Sequence, residues 1–153
     1  MNDLIEAMSK LVEFPVECYL IGPLDREFEF ELTRMSSNTF YMGSISRDDV
    51  RSKMNEADVF CIPSYCEGSA TVTYEAFLSH LPIVTTHNSG SLVEDMVDGL
   101  LVNPGDVKSI ASAIQLLATD SVVYSRLKKG SIDKSTLCTI EAYKTRLLEA
   151  LDE

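Results

Sequence analysis

Two short runs, "DVFCIP" at 58–63 and "PIVTT" at 82–86, constrain this chain more than any other feature of it. Each is of strand length and apolar on both faces. Between them lies "TVTYEAFLSHL", whose apolar residues recur at helical spacing. A strand with two apolar faces must be covered on both sides, the condition of a parallel sheet flanked by helices. The alternation runs along the whole chain. "LIEAMSKLV" reads as a helix with Asp3 as N-cap, "VECYLIG" as a strand ended by Gly22 and Pro23, and "NTFYMG" as a strand. "DREFEFELTRM" reads as a helix, although its F-E-F-E alternation also fits a strand. "SRDDVRSKMNEA" is a helix capped by Ser46, with acids in its first turn where the helix dipole favours them. After "PIVTT" come a short helix "SLVEDMV" and a strand "GLLVN". Asp106 then caps "DVKSIASAIQLLAT", "SVVYSRLKK" ends at Gly130, and a last helix covers "CTIEAYKTRLLEAL". Strands alternating with helices of about ten residues predict right-handed βαβ units in a Rossmann-like, doubly wound α/β fold.

At 153 residues the chain is expected to be one domain with a real core. No apolar run reaches the roughly 18 to 20 residues of a spanning helix, and no signal-peptide pattern opens the sequence, so the expectation is a cytoplasmic protein. Cys18, Cys61, Cys66 and Cys138 form no CxxC pair and read as free thiols. His80 and His87 are the only histidines and lie in no metal-ligand spacing, so neither a metal nor a cofactor is expected. The net charge of −11 argues against nucleic acid or an anionic membrane as the main partner. Between Lys53 and Lys108 there is no lysine or arginine, while the same span holds Glu56, Asp58, Glu67, Glu75, Glu94, Asp95, Asp98 and Asp106. An anionic ligand bound there finds no local basic side chain.

In doubly wound sheets ligands bind beyond the carboxyl ends of the strands. "CEGSA" falls there, between "DVFCIP" and the helix 71–80. A helix entry offers free N–H groups and the positive dipole end, and Gly68, Ser69 and Ala70 are small enough for a phosphate to approach. Glu75 falls at the border of an apolar stripe of Tyr74, Phe77, Leu78 and Leu81, about a turn below that entry, where it suits a pair of neighbouring hydroxyls. The plainer alternative makes Glu67 a solvated loop acid and Glu75 an acid favouring the helix dipole.

The stretch from "ADVFCIPSYCEGSATVTYEAFLSHLPIVTT" through "VEDMVDGLLVNPGD" to the helical tail resembles the donor-binding half of retaining, GT-B-fold glycosyltransferases of group 1, or family 4. The E-x7-E motif of that family is matched by Glu67 and Glu75. The resemblance implies a nucleotide diphosphate sugar (UDP-, GDP- or ADP-linked) as donor and transfer of a hexose to a glycan or lipid-linked acceptor. Polysaccharide biosynthesis is the implied setting, with the intact enzyme peripheral to the inner face of the membrane. It implies that Glu67 contacts the sugar near the reacting centre and that amides around Gly68, Ser69, Ala70, Thr71 and Val72 hold the diphosphate. It further gives Glu75 the ribose, Ser44 and Ile45 the nucleobase, and Gly22 a place on the cleft; turn chemistry is the plainer reading of Gly22 and Gly43. His87 opens a loop that the family places near the sugar, whereas His80 reads as a helix-end residue.

Three departures stand beside the match. Ser69 and Ala70 replace the usual phenylalanine and glycine. The family's diphosphate-neutralising arginine and lysine lie on and after a first strand that residues 1–153 do not contain, and Arg47, read as a surface charge, is the nearest basic residue to a proposed site element. That strand is central in the family's sheet, and the N-terminal acceptor domain is absent too. The implied reading is therefore a single nucleotide-sugar-binding domain, inactive alone, whose exposed strand edge favours pairing with another chain. The other reading is a non-catalytic interaction or partner-subunit module on the same fold. A receiver-like fold is disfavoured, since it needs a partner lysine that the span 54–107 lacks.

Overall fold

A computed structural model describes residues 1–24 and 29–151. The element order is α1 (Asn2–Ser9), β1 (Cys18–Ile21), α2 (Glu29–Leu32), β2 (Thr39–Gly43), α3 (Arg47–Glu56), β3 (Phe60–Ile62) and α4 (Thr71–Leu78). There follow β4 (Ile83–Thr86), a 3-10 turn (His87–Ser89), β5 (Gly99–Val102), α5 (Val107–Thr119), α6 (Ser121–Ser135) and α7 (Ile140–Leu151). Every strand pairing is parallel. Of the segment 25–35, residues 25–28 lie outside the described residues, and the described part is helical at Glu29–Leu32.

Helices cover both faces, as the two-sided apolar strands require. On one face Leu4, Ile5 and Met8 of α1 and Ile110, Ala113 and Leu117 of α5 close over Leu20, Val84 and Val102. On the other, Met54 of α3 and Ala76 and Phe77 of α4 close over Ile83, with Phe60 and Leu101 beside them. All four residues of β4 are buried, which places it at the centre of its sheet.

The strands form two sheets, β1–β2 and β3–β4–β5, where the strand pattern alone predicts one. Pairing with β2 and β4 leaves β1 and β3 each with one edge free of a strand partner among the described residues. A groove of about 1540 Å³ runs between them, lined by residues 17–23 on one wall and 59–63 on the other.

Local chemistry explains most boundaries. Ser46 and Asp106 are the N-caps of α3 and α5, accepting from the Asp49 and Ser109 amides at 3.1 and 3.0 Å. Four expectations are overturned. The cap of α1 is Met1 rather than Asp3, with no side-chain hydrogen bond. The stretch 91–97 is no helix. Asp98 accepts from the Glu94 amide, Asp95 accepts from the Leu101 amide, and Met96 takes a left-handed conformation, φ 60°. Carboxylates that bond the backbone locally draw it away from helical geometry. Helix α6 does not stop at Gly130 but continues to Ser135. Glycine stands there because a Cβ would collide with the Val97 carbonyl, so α6 lies against that turn at backbone distance. Finally, Leu78 is 48% exposed and does not belong to the buried stripe of α4, which is Thr73, Ala76 and Phe77.

One ion pair lies deep in this region. Asp98 is fully buried and Lys134 of α6 reaches it at 3.1 Å while also bonding Glu94. Burial lowers the Lys134 pKa, but its bonds to the Glu94 and Asp98 carboxylates outweigh that and the net shift is upward.

Candidate functional site

The carboxyl ends of β1, β2 and β3 converge with the first turn of α4. Gly22, at φ 141°, donates its N–H to the Gly43 carbonyl at 3.0 Å, and the Tyr41 hydroxyl donates to the Gly22 carbonyl at 3.0 Å. Glycine at 22 and 43 therefore does serve turn geometry, and it also brings the two strand ends together. The upper end of the groove is lined by Gly22, Pro23, Ser44, Ile45, Ile62, Pro63 and Val72. Four of the residues singled out from the sequence thus share one cleft: Gly22, Ser44, Ile45 and Val72.

The other six, Glu67, Gly68, Ser69, Ala70, Thr71 and Glu75, lie outside the lining of that cleft. They form a ledge beside it. The loop 64–70 is fastened to the turn after β4. The Glu67 amide donates to the Asn88 carbonyl at 2.9 Å, the Asn88 side chain donates to the Tyr65 carbonyl at 3.0 Å, and the Ala70 amide donates to the Ser89 carbonyl at 3.0 Å. Gly90, at φ 60°, presses on Gly68 so closely that a Cβ at 90 would stand 2.5 Å from the Gly68 oxygen. Beneath, Thr85 and Thr86 hydroxyls donate to the Ile62 and Ser64 carbonyls at 2.8 and 2.6 Å. Asn88, Ser89 and Gly90 were not read from the sequence as site residues. Their signal was the turn-forming cluster "HNSG" directly after a buried strand, but their partners lie about twenty positions earlier and leave no local pattern.

This fastening decides which amides are free. The Ala70 N–H is engaged, and Ala70 itself is buried. As the N-cap of α4 it supplies no side-chain hydrogen bond. Among the described residues no backbone acceptor faces the N–H groups of Ser69, Thr71 and Val72. Two of these open the helix, where the dipole adds positive potential. Open space lies over Gly68, where a Cβ would meet nothing within 4 Å. An anion set on the ledge would therefore meet three donors and no bulky side chain.

The two acids flank the ledge. Glu67 is exposed and accepts a hydrogen bond from the Ser64 hydroxyl at 3.2 Å. Glu75 is exposed on the face of α4 that also carries Thr71 and Leu78. Among the described residues neither carboxylate makes an ion pair. Arg47 is the exposed first residue of α3, and His87 the exposed first residue of the 3-10 turn. His80 closes α4 in a left-handed conformation, φ 60°. No helix of the described residues is long and apolar enough to cross a membrane.

Known proteins share this architecture. The profile of the family described as "Glycosyl transferases group 1" matches residues 1–120. The chain is 29% identical over 132 residues to the lipopolysaccharide core biosynthesis glycosyltransferase LpsE of Rhizobium meliloti, covering 82% of this chain and 38% of that one. It superimposes with a TM-score of 0.83 and 20% identity on Anabaena Alr3699/HepE, solved with UDP and glucose, covering 100% of this chain and 44% of that one. The C-terminal domain of the glycosyl transferase group 1 family protein LpcC from Francisella tularensis gives a TM-score of 0.81 at 21% identity, covering 91% of this chain and 79% of that one.

Proposed function

The chain belongs to the glycosyl transferases group 1 family, and from that premise we propose that it holds the nucleotide diphosphate sugar in a retaining hexosyl transfer. Its fold is that of the C-terminal half of a GT-B glycosyltransferase. It spans 38% of LpsE and 44% of HepE, so the complete reaction, its acceptor and the side that delivers the acceptor extend the proposal beyond residues 1–153.

The observation that carries the reading is the uncapped, amide-rich entry of α4 set between two unpaired carboxylates. Amides of Ser69, Thr71 and Val72 receive the diphosphate, which a helix N-terminus stabilises by both hydrogen bonding and dipole. Glu75, one turn along the helix from Thr71, accepts from the ribose hydroxyls. Glu67, on the loop, accepts from hydroxyls of the transferred sugar and lies nearest the reacting carbon. Ser44, Ile45 and Gly22 form the neighbouring cleft for the nucleobase. As the bond to the sugar breaks, negative charge grows on the leaving diphosphate. Fixed amides aimed at that charge lower the barrier without reorganising. Structures of HepE bearing UDP or UDP-glucose are consistent with this donor class.

A second reading, a non-catalytic partner module on the same fold, is favoured by one observation. The span 54–107 that builds the ledge contributes no lysine or arginine. Isothermal titration of the chain with UDP-, GDP- and ADP-sugars separates the two. Under the donor reading one nucleotide binds with a millimolar or tighter Kd and Glu75→Ala weakens it roughly tenfold, about 1.4 kcal/mol. A folded chain that binds none of the three supports the partner module instead.

A further inference from the structure

Strand β4 is buried along its whole length, yet two of its four residues are threonines. A hydroxyl in such a place is costly unless it is bonded. Both hydroxyls are bonded to the chain at the end of β3, whose ladder with β4 stops at the pair Ile62 and Thr85. Thr85 donates to the Ile62 carbonyl at 2.8 Å, and Thr86 donates to the Ser64 carbonyl at 2.6 Å. The Ser64 amide in turn donates to the Ile62 carbonyl at 2.9 Å. Ser64 is therefore gripped at its backbone N–H and at its backbone oxygen, the latter by a residue that is 1% exposed.

The hydroxyl of this fixed residue donates to Oε1 of the exposed Glu67 at 3.2 Å. The Glu67 backbone is held from the other side, its amide donating to the Asn88 carbonyl at 2.9 Å. The Ser89 hydroxyl donates to the Thr86 carbonyl at 2.9 Å, so the bonds close a ring that leaves Thr86, passes through Ser64, Glu67 and the turn 87–89, and returns. Among the described residues the second carboxylate oxygen of Glu67, Oε2, has no hydrogen-bond partner. An exposed glutamate surrenders several free torsions when a ligand fixes it, and a bond made beforehand removes part of that cost. At 3.2 Å the bond orients the carboxylate without locking it, the kind of contact that tightens when a ligand arrives.

We infer that Ser64, held by Thr86, is the positioning residue of Glu67: it takes up one carboxylate oxygen and leaves Oε2 to accept from a hydroxyl of the transferred sugar. The inference rests on the donor reading and deepens it. Ser64 acts through Glu67 and not on the donor directly. Its influence therefore falls on the sugar and spares the nucleoside diphosphate, which the amides at the entry of α4 receive.

Calorimetric titration of residues 1–153 with UDP, GDP and ADP, and with the glucose-linked form of each, provides the test. For the nucleotide that binds, Ser64→Ala is expected to weaken the nucleotide sugar roughly fivefold while the nucleoside diphosphate stays within about twofold. Ser64→Thr keeps the hydroxyl and should retain the parent affinity. Adding Ser64→Ala to Glu67→Ala should weaken nucleotide-sugar binding no further, because the carboxylate it acts through is already gone. Equal losses for diphosphate and nucleotide sugar would overturn the inference and leave the donor reading standing, since Ser64 would then support the ledge as a whole. An unchanged nucleotide-sugar affinity in Ser64→Ala, or additive losses in the double variant, would overturn it as well. A folded parent chain that binds none of the six ligands instead removes the donor reading, and this inference with it.

Discussion

Single residues carry more of this structure than their exposure suggests. Lys134 meets the fully buried Asp98 at 3.1 Å, and a buried carboxylate stripped of its partner is expensive. Lys134→Met should lower unfolding stability by about 3 kcal/mol in urea denaturation, whereas a surface lysine such as Lys144 should matter little. The pH dependence follows from the raised pKa of Lys134. A lysine whose folded pKa exceeds its unfolded one stabilises fully below the unfolded value and loses that contribution as pH climbs through the folded one. Alkaline destabilisation should therefore be shallower in Lys134→Met than in the parent. His80 offers the opposite case. It holds φ 60° at the end of α4, where glycine is at ease, so His80→Gly should stabilise by roughly 0.5–1 kcal/mol in thermal melts. The helix-end reading of His80 was legible from its position. The role of Gly130 was not, because the Val97 carbonyl it touches lies far back in sequence.

At the scale of elements, the decisive object is the ledge formed by loop 64–70 and the turn 87–90. Each alone is a polar loop; hydrogen bonds from Glu67, Asn88 and Ala70 make them one unit. Gly90→Ala should disturb it twice, through strain of about 1–2 kcal/mol at positive φ and through the clash with Gly68. The expected outcome is a chain with unchanged circular dichroism whose nucleotide-sugar affinity drops at least as much as in Glu75→Ala. Unchanged affinity would separate the ledge from donor binding. Caps such as Ser46 and Asp106 were readable because cap chemistry is local and directional. The stretch 91–97 misled for a related reason. Its apolar spacing fits a helix, but Asp98 accepts from the Glu94 amide within the stretch and Asp95 from the Leu101 amide of β5.

For the whole molecule, two-sided apolar strands were enough to predict a parallel α/β sheet with helices on both faces, and that is the architecture found. Periodicity could not reveal that the five strands of the described residues divide into two sheets, since each strand pattern is blind to its neighbours. The division has a thermodynamic signature. The β1–β2 pair meets the rest of the core where Leu20 packs in the layer of α1 and α5 and the Asn38 side chain donates to the Met8 carbonyl. In native-state exchange, amides of β1 and β2 should open at lower free energy than those of β4, whose four residues are all buried. Uniform protection across both sheets would refute such a hierarchy.

Tyr65 gives the ledge an optical handle. Its hydroxyl lies over Gly105, and the Asp3 carboxylate raises the phenol's pKa. The sequence contains no tryptophan to mask tyrosine signals. Near-ultraviolet absorbance during alkaline titration should thus show Tyr65 ionising late, as Tyr19 does beside Glu17, and Tyr65→Phe identifies its share. A ligand that lifts loop 64–70 away from α1 would bring that ionisation forward, reporting occupancy of the ledge by colour alone.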